Sequence, residues 1–468
     1  MALGKRRRER QAELFVATDG LARSPGHVFY RKLNELLAAE GFDAWVEELC
    51  RPHYADGVGR RSIPPGVYFR MLLVGYFEGL SSQRGIAWRC ADSLSLREFL
   101  GIPLTESTPD HSSLTVIRQR LDLETHAQVF TWVLALAARK KLFSGTIVGI
   151  DSTTLEANAA MRSIVRRTTG EDWRAYLKRL MVEQGKATPE DDISDDDLRR
   201  FDRQRKDKKV SNAEWESPSD PDARIARMKD GTTHLAYKAE HVVDLETGIL
   251  LAAEITPADH GDTQTFEDSV HAAQANLNEA AAEASIRTVV ADCGYHGGET
   301  LATLAEHTTY RTIVAERPRR GRANWRDKPP AIRTAVLGNR RRVRSARGRA
   351  LLRRRGETVE RSFAHVCETG GGRRSWLRGI DQVRMRYLIQ AAAFNLGIVL
   401  RQLFGIGTPR SLQGFVGAVS AVLTLLQLAY LMFCRAMARL DGIARRPNDS
   451  GRPRSEERRV GKECRSRW

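Results

Sequence analysis

The chain has 468 residues, of which 41% are hydrophobic and 28% are charged, and its formal net charge is +17 at pH 7. This composition is typical of a folded soluble protein with room for two or three domains, and the positive excess favours a polyanionic partner such as nucleic acid. The six cysteines are scattered without a CxxC or CxH spacing. Their pattern argues against a zinc ribbon or a disulfide framework and is usual in a reducing cytoplasm.

The first residues, MALGKRRRER, are charged and lead into no apolar core, so we expect no secretory signal. Residues 1–143 are predicted to form an all-α domain, because apolar residues follow a helical repeat over 68–80, 96–102, 111–122 and 126–143. The last of these helices has a basic end. We expect the region to dock on DNA, and a purely structural helical cap explains the same pattern nearly as well.

The pattern changes to strands after Gly145. TIVGI (146–150), IRTVVA (286–291) and RTIVAE (311–316) are short apolar runs that predict buried strands, and two alternating runs within 234–258 predict a hairpin that turns at Glu246-Thr247-Gly248. Helical patterns cover 263–284, 297–307 and 383–405. This order of elements predicts an α/β fold: a mixed sheet with helices on its faces, preceded by the all-α region.

A charged insertion at about 161–232 separates the first strand from the hairpin. Its first part, 161–184, is predicted to be helical and basic, whereas 190–209 is dense in charge and poor in aromatic residues, which predicts an exposed or partly disordered arm. We assign residues 144–405, including this insertion, to a second domain and residues 406–468 to a C-terminal region.

The C-terminal region contains a run of 24 uncharged residues, 411–434, directly after Arg410. By length this segment could span a bilayer, but a buried helix or a subunit-contact helix explains it as well, and we favour no membrane association. The tail, 455–468, has no apolar periodicity and is expected to be non-native.

Three acidic residues form the candidate site. Asp151 and Asp292 each follow an apolar strand, and Glu360 lies in a helix-permissive stretch at the end of 317–361, which carries 16 arginines. Each of the three, taken alone, has an ordinary structural explanation as a turn, cap or surface residue. Together, in a strongly basic chain, they suggest carboxylate ligands for divalent cations, the chemistry with which phosphodiesters are cut and joined.

Several segments, in their order and spacing, resemble the DDE transposases of bacterial insertion sequences. They are VGIDSTTLEANAAMRSIVRR (148–167), KAEHVVDLETGILLAAEITPADHGDTQT (238–265), VVADCGYH (289–296), RRRGETVERSFAHVCETGGGRRSWLRG (353–379) and FNLGIVLRQLFGIGTPRSLQG (394–414). The resemblance implies a ribonuclease-H-like core that follows a helical domain for recognition of the element's terminal inverted repeats. It also implies a catalytic and metal-binding triad of Asp151, Asp292 and Glu360.

One part of the family pattern is missing. Counting from Glu360, the usual arginine falls on Gly356 and the usual lysine on Cys367. Basic neighbours are the candidates for contacts with DNA in their place: Arg353, Arg354, Arg355, Arg361, Arg373 and Arg374. Glu357 is the alternative third carboxylate, because it lies three residues before Glu360 on nearly the same helix face.

The resemblance therefore implies a cytoplasmic DNA transposase that acts with two Mg²⁺ or Mn²⁺ ions on double-stranded DNA, at the element ends and at the target. Cutting two ends together requires at least a homodimer. The alternatives are a metal-dependent nuclease of the same fold that does not transpose, an inactive DNA-binding remnant, and a membrane-attached basic protein.

Overall fold

The computed structural model describes residues 26–55, 62–206, 211–228, 231–318 and 328–410, together with Ala17 and Trp325. The segment 411–434 and the tail 455–468 lie outside the described residues, so the structure does not test the expectations of an apolar helix and of a non-native tail.

Helices precede the sheet in the described residues. They are α1 (Val28–Ala39), α2 (Phe42–Cys50), α3 (Pro65–Phe77), α4 (Gln83–Asp92), α5 (Leu94–Leu100), α6 (His111–Arg120) and α7 (Leu123–Arg139). The four helices expected here are all present within a few residues of their expected bounds. Asp110 and Asp122 begin α6 and α7, because each side chain accepts a hydrogen bond from a backbone N–H of the first helical turn.

The main sheet follows these helices. Its strands are β1 (Ile147–Glu156), β4 (Arg224–Arg227), β5 (Thr233–Asp244), β6 (Leu250–Pro257), β7 (Thr288–Ala291) and β8 (Arg311–Val314). The short strands β2 (Val165–Arg166) and β3 (Trp215–Glu216) pair separately. The main sheet runs β5-β1-β7-β8, and β4 and β6 both pair with β5.

The direction of the strands defines the fold. β5 pairs antiparallel with β1 and with β6, whereas β7 runs parallel to β1 and β8 runs parallel to β7. An antiparallel hairpin beside a first strand, followed by two parallel strands on its other side, is the ribonuclease-H-like arrangement. The expected fold class is therefore confirmed.

The two faces of the sheet are covered by different helices. These are α10 (Asp262–Glu279), α11 (Gly298–His307), α12 (Pro330–Arg344), α13 (Ala346–Phe363) and α14 (Ile380–Phe404), and a π-helical turn, Ala364–Thr369, follows α13. Because side chains alternate along a strand, β1 turns Asp151 toward α13 and Ser152 toward α10. The paired residue of Asp151 on β5, His241, likewise contacts Ser362 of α13.

Helix α14 joins the helical region to the sheet. It packs against α3 and α7 as well as against β6. Within the described part of the chain it alone is long and apolar enough to cross a membrane, by length and composition only, and 67% of its apolar window is buried inside the protein. This burial is that of a core helix.

The charged insertion is more ordered than its composition predicts. It contains α8 (Trp173–Glu183) and α9 (Asp195–Gln204), which pack together around Leu177, Leu198 and Phe201. Two apolar residues three positions apart on α9 are enough to bury one face of a helix that is otherwise charged. Of the two alternatives for this segment, the exposed arm agrees with α9, most of whose residues are exposed, and the partly disordered arm is wrong for it. The helix expected over 161–184 begins only at Trp173.

Candidate active site

Asp151 and Asp292 lie side by side at one edge of the sheet. Asp151 belongs to β1, and Asp292 follows the last residue of β7, the parallel neighbour of β1 in which Val290 pairs with Gly149. Asp151 is two residues after Gly149 and Asp292 is two residues after Val290, so the parallel register places the two aspartates level with each other. Each carboxylate is held locally, because Asp151 Oδ1 accepts a hydrogen bond from the Ser152 N–H (2.8 Å) and Asp292 Oδ1 accepts one from the Gly294 N–H (2.8 Å).

A guanidinium group lies between the two carboxylates. Arg355 Nη2 is 2.8 Å from Asp151 Oδ2 and 4.0 Å from Asp292 Oδ2. Arg355 Nε donates a hydrogen bond to the Ile150 carbonyl (3.0 Å), which ties α13 to β1. The arginine is thus buried beside the two aspartates rather than presented on the surface, where an arginine that contacts DNA would be expected.

Glu360 and Glu357 lie further along the same helix. Glu360 is exposed, and its Oε1 lies 4.0 Å from the position of a Cβ at Gly356, the residue that follows Arg355. Glu357 instead lines a cavity of about 340 Å³ that α13 forms with α14 and the β5–β6 turn. Within the described residues no three His, Cys, Asp or Glu side chains are grouped so that they could hold a metal ion. The structure therefore brings together Asp151 and Asp292, but does not group Glu360 with them.

The aspartate pair fits a divalent cation in charge and in donor chemistry. Mg²⁺ and Mn²⁺ prefer carboxylate and water oxygens, and two negative groups at one place require a positive charge nearby. The guanidinium of Arg355 already supplies such a charge, within 2.8 and 4.0 Å of one oxygen of each carboxylate. A cation shared by both aspartates would need the place that this guanidinium holds.

A third aspartate, Asp262 at the start of α10, adjoins the pair and was not anticipated from the sequence. Ser152 Oγ donates a hydrogen bond to Asp262 Oδ1 (2.9 Å), so the residue after Asp151 is tied to α10. A side chain at Gly294 would collide with Asp262 Oδ2 and lie 3.1 Å from Asp292 Oδ1, so the two carboxylates flank this glycine. In the sequence Asp262 is indistinguishable from an ordinary acidic residue in the first turn of a helix.

Asp262 belongs to a polar network buried under the site. Lys238 Nζ lies 2.9 Å from Asp262 Oδ1 and 2.9 Å from Glu240 Oε1. Glu240 is 1% exposed and also accepts hydrogen bonds from the hydroxyls of Thr265, Ser269 and Tyr295. Burial and the charge of Glu240 raise the pKa of Tyr295 well above its usual value, so this phenol stays a donor. The network joins β5, α10 and the turn after Asp292. Its only signal in the sequence is the pair of charged residues, Lys238 and Glu240, at alternate positions of a buried strand.

The other arginines expected to contact DNA lie in different environments. Arg353, Arg354, Arg361 and Arg374 are exposed. Arg373 is partly buried and is bound within the protein, because it pairs with Glu368 (2.5 Å) and donates a hydrogen bond to Thr153 Oγ1 (3.0 Å).

A basic cavity of about 330 Å³ adjoins Asp292. Its lining includes Cys293, Gly294, His296, Arg317, Trp325, Lys328 and Arg340. Arg340 Nη2 pairs with Glu316 Oε2 (2.9 Å), so part of the positive charge is neutralised within the cavity wall. Arg317 and Lys328 also line the cavity, so a surface suited to phosphate lies next to Asp292.

Two family models match the chain, and both describe transposases. The Transposase domain (DUF772) matches residues 19–120, and the Transposase DDE domain matches residues 188–396. The chain belongs to the DDE transposases of insertion sequences, a family whose activity is to cut and transfer DNA strands and which generally uses divalent metal ions. Asp292 and Glu360 lie inside the second match, and Asp151 precedes it. No curated protein and no solved structure matches the chain.

Proposed function

We propose that this protein is a metal-dependent DNA transposase that binds the terminal inverted repeats of its element, hydrolyses a phosphodiester to expose a 3′-hydroxyl, and transfers that end to target DNA. The observation that carries the proposal is the convergence of Asp151 and Asp292 from adjacent parallel strands on one guanidinium nitrogen. A pair of carboxylates at this edge of such a sheet, in a basic chain of this family, has the donor chemistry that phosphoryl transfer needs.

In this proposal Asp151, Asp292 and Glu360 hold two Mg²⁺ or Mn²⁺ ions. Ions held by these residues would supply charge that activates the attacking oxygen and stabilises the leaving oxygen. The protein's own contribution is to fix its ligands: the backbone N–H groups of Ser152 and Gly294 orient the two aspartates. We favour Glu360 over Glu357, because Glu357 lines the cavity beside the β5–β6 turn.

We further propose that DNA lies along the exposed arginines of α13 and the basic cavity beside Asp292. Arginine contacts to phosphate position a duplex without reading its sequence. Recognition of the inverted repeats is assigned to the helical region 1–143, and catalysis to residues 144–405. If six or more phosphates are contacted, the affinity for DNA falls by about 10³-fold or more between low and moderate salt.

A cleavage assay on DNA that carries the element's ends tests the proposal. Asp151→Asn and Asp292→Asn should abolish Mg²⁺-dependent cutting while DNA binding is largely kept, because each replacement removes a charge and little volume. Glu360→Gln should behave in the same way, and Glu357→Gln, its matched control on the same helix, should cut like the wild type. Undiminished cutting by Asp151→Asn would refute the assignment.

The same assay separates the alternatives. A nuclease that does not transpose would cut the ends without joining a 3′-hydroxyl to a target duplex. An inactive remnant would bind the ends and cut nothing in any metal.

We propose at least a homodimer in the synapse, because two ends are cut together, and a cytoplasmic protein without membrane attachment. Deletion of 411–468 followed by measurement of mass in solution tests whether this segment supports assembly; an unchanged mass would reject that role. Recovery in the soluble fraction without detergent tests the location.

A further inference from the structure

We infer that Arg355 is an internal counterion: it holds the cation position between Asp151 and Asp292 in the metal-free protein and gives up that position when a divalent cation binds. The inference rests on the proposed metal-dependent function, and it adds an exchange step that belongs to this chain's own residues.

The charges favour such an exchange. Arg355 Nη2 is 2.8 Å from Asp151 Oδ2 and 4.0 Å from Asp292 Oδ2. The guanidinium thus brings one positive charge to two carboxylates. A divalent cation would neutralise both carboxylates, so it competes with the guanidinium for the same oxygens.

The guanidinium is held in a way that permits its release. Its Nε donates one hydrogen bond, to the Ile150 carbonyl, but Nη2 is buried without a well-directed hydrogen bond in the described structure. Nη2 and Asp151 therefore form an ion pair in which the N–H bond does not point well toward the carboxylate oxygen. A buried donor in that condition is costly, so replacing it by another cation costs less free energy than replacing a well-bonded one.

Packing fixes the aliphatic part of the Arg355 side chain, and its guanidinium group lies at the site. A Cβ at Gly149 would lie 3.1 Å from Arg355 Cγ and 3.0 Å from Val359 Cγ2, so α13 rests directly on the strand at this glycine. The helix need not move for this group to leave, because the remaining torsions of the side chain can swing the guanidinium away.

Binding of Mn²⁺ to the full chain without DNA tests the inference, with free Mn²⁺ followed by electron paramagnetic resonance. Arg355→Met removes the charge and keeps an unbranched stem; it should bind Mn²⁺ at least about tenfold more tightly than the wild type, because a unit charge about 4 Å away no longer competes. Arg355→Lys keeps a charge and should stay close to the wild type. Arg354→Met, the exposed neighbour, is the matched control and should not change the affinity.

The outcomes separate this inference from the proposed function. Equal Mn²⁺ affinity in Arg355→Met, Arg354→Met and the wild type would overturn the exchange and leave the proposed transposase standing. No Mn²⁺ binding by any of these proteins would overturn both. If Arg355→Met does not fold, Arg355→Gln takes its place, since its amide can still donate a hydrogen bond toward Ile150, and the Mn²⁺-dependent rise in Tm supplies the second readout.

Discussion

Ser152 Oγ donates a hydrogen bond to Asp262 Oδ1 over 2.9 Å, and this contact joins the strand of the first candidate aspartate to the helix α10 on the other face of the sheet. Asp262 is tied in turn to Lys238 and lies beside Gly294, next to Asp292. One carboxylate therefore supports the positions of both candidate metal ligands.

Asp262→Asn should lower the free energy of unfolding by about 1–3 kcal/mol, because the buried ammonium of Lys238 and the hydroxyl of Ser152 lose a charged acceptor. Urea denaturation measures the change. Asp259→Asn, in the turn that precedes α10, is the control, since Asp259 is exposed and pairs only loosely with Arg224 at 3.6 Å; its effect should stay within about 0.5 kcal/mol. Equal effects of the two substitutions would contradict a supporting role for Asp262.

Glu240→Gln should be more damaging, with a loss of about 3 kcal/mol, because it removes one partner of a buried ion pair. The hydroxyls of Thr265 and Tyr295 would keep an acceptor of similar shape, so the loss reports mainly the missing charge. Glu246→Gln, in the exposed β5–β6 turn, should be nearly neutral. Calorimetric Tm values of the two variants check the difference, and a stable Glu240→Gln protein would show that the network does not depend on its charge.

Gly149→Ala and Gly356→Ala should have opposite signs. An added methyl at Gly149 would lie 2.6 Å from Leu245 Cδ2 and 3.0 Å from Val359 Cγ2, so the Leu245 side chain and the packing of α13 on β1 must adjust, at a cost of about 1–3 kcal/mol. At Gly356, inside α13, the nearest atom is Glu360 Oε1 at 4.0 Å, and alanine should stabilise the helix by about 0.5–1 kcal/mol. Equilibrium unfolding of both variants decides, and a stabilised Gly149→Ala protein would contradict the close packing.

His241 should make stability depend on pH. Burial lowers its pKa to about 3, and the neutral ring is held by Ser362 Oγ (2.7 Å, at Nδ1) and the Tyr387 hydroxyl (2.7 Å, at Nε2). Because Ser362 Oγ donates its own hydrogen to the Val359 carbonyl, Nδ1–H is the donor to Ser362 and Nε2 accepts from Tyr387. The native state therefore has no place for a second proton on this ring.

The sign of the pH effect follows from linkage. Between the unfolded pKa of about 6.5 and the native pKa of about 3, the unfolded chain binds a proton that the native protein does not, so stability is full above pH 6.5 and falls as the pH decreases through this window. From about pH 7 to about pH 5 the expected loss is about 2 kcal/mol. In urea titrations His241→Gln should lose that part of the slope, whereas His307→Gln, at an exposed position, should retain it; parallel slopes would contradict the buried neutral ring.

Sequence alone predicted four of the helices that precede the sheet, the mixed sheet, and the apolar runs directly before Asp151 and Asp292, although β1 continues past Asp151 to Glu156. Such features depend on the local periodicity of side chains, which is written in a few consecutive residues. The charged segment that became α9 shows the limit of composition, because two apolar residues at helical spacing outweighed the charges around them.

Only the tertiary structure decided which groups meet at the site. Arg355 and Ile150 are 205 residues apart in the chain, and Ser152 and Asp262 are 110 apart, so no local pattern relates them. The sequence presents Arg355 as one member of an arginine run and Asp262 as an acidic residue at a helix start. Because α13 packs on Gly149, Arg355 becomes the partner of two aspartates. Because α10 packs on the opposite face of the sheet, Asp262 supports the same two aspartates. Burial selects such contacts by position and charge and not by distance along the chain.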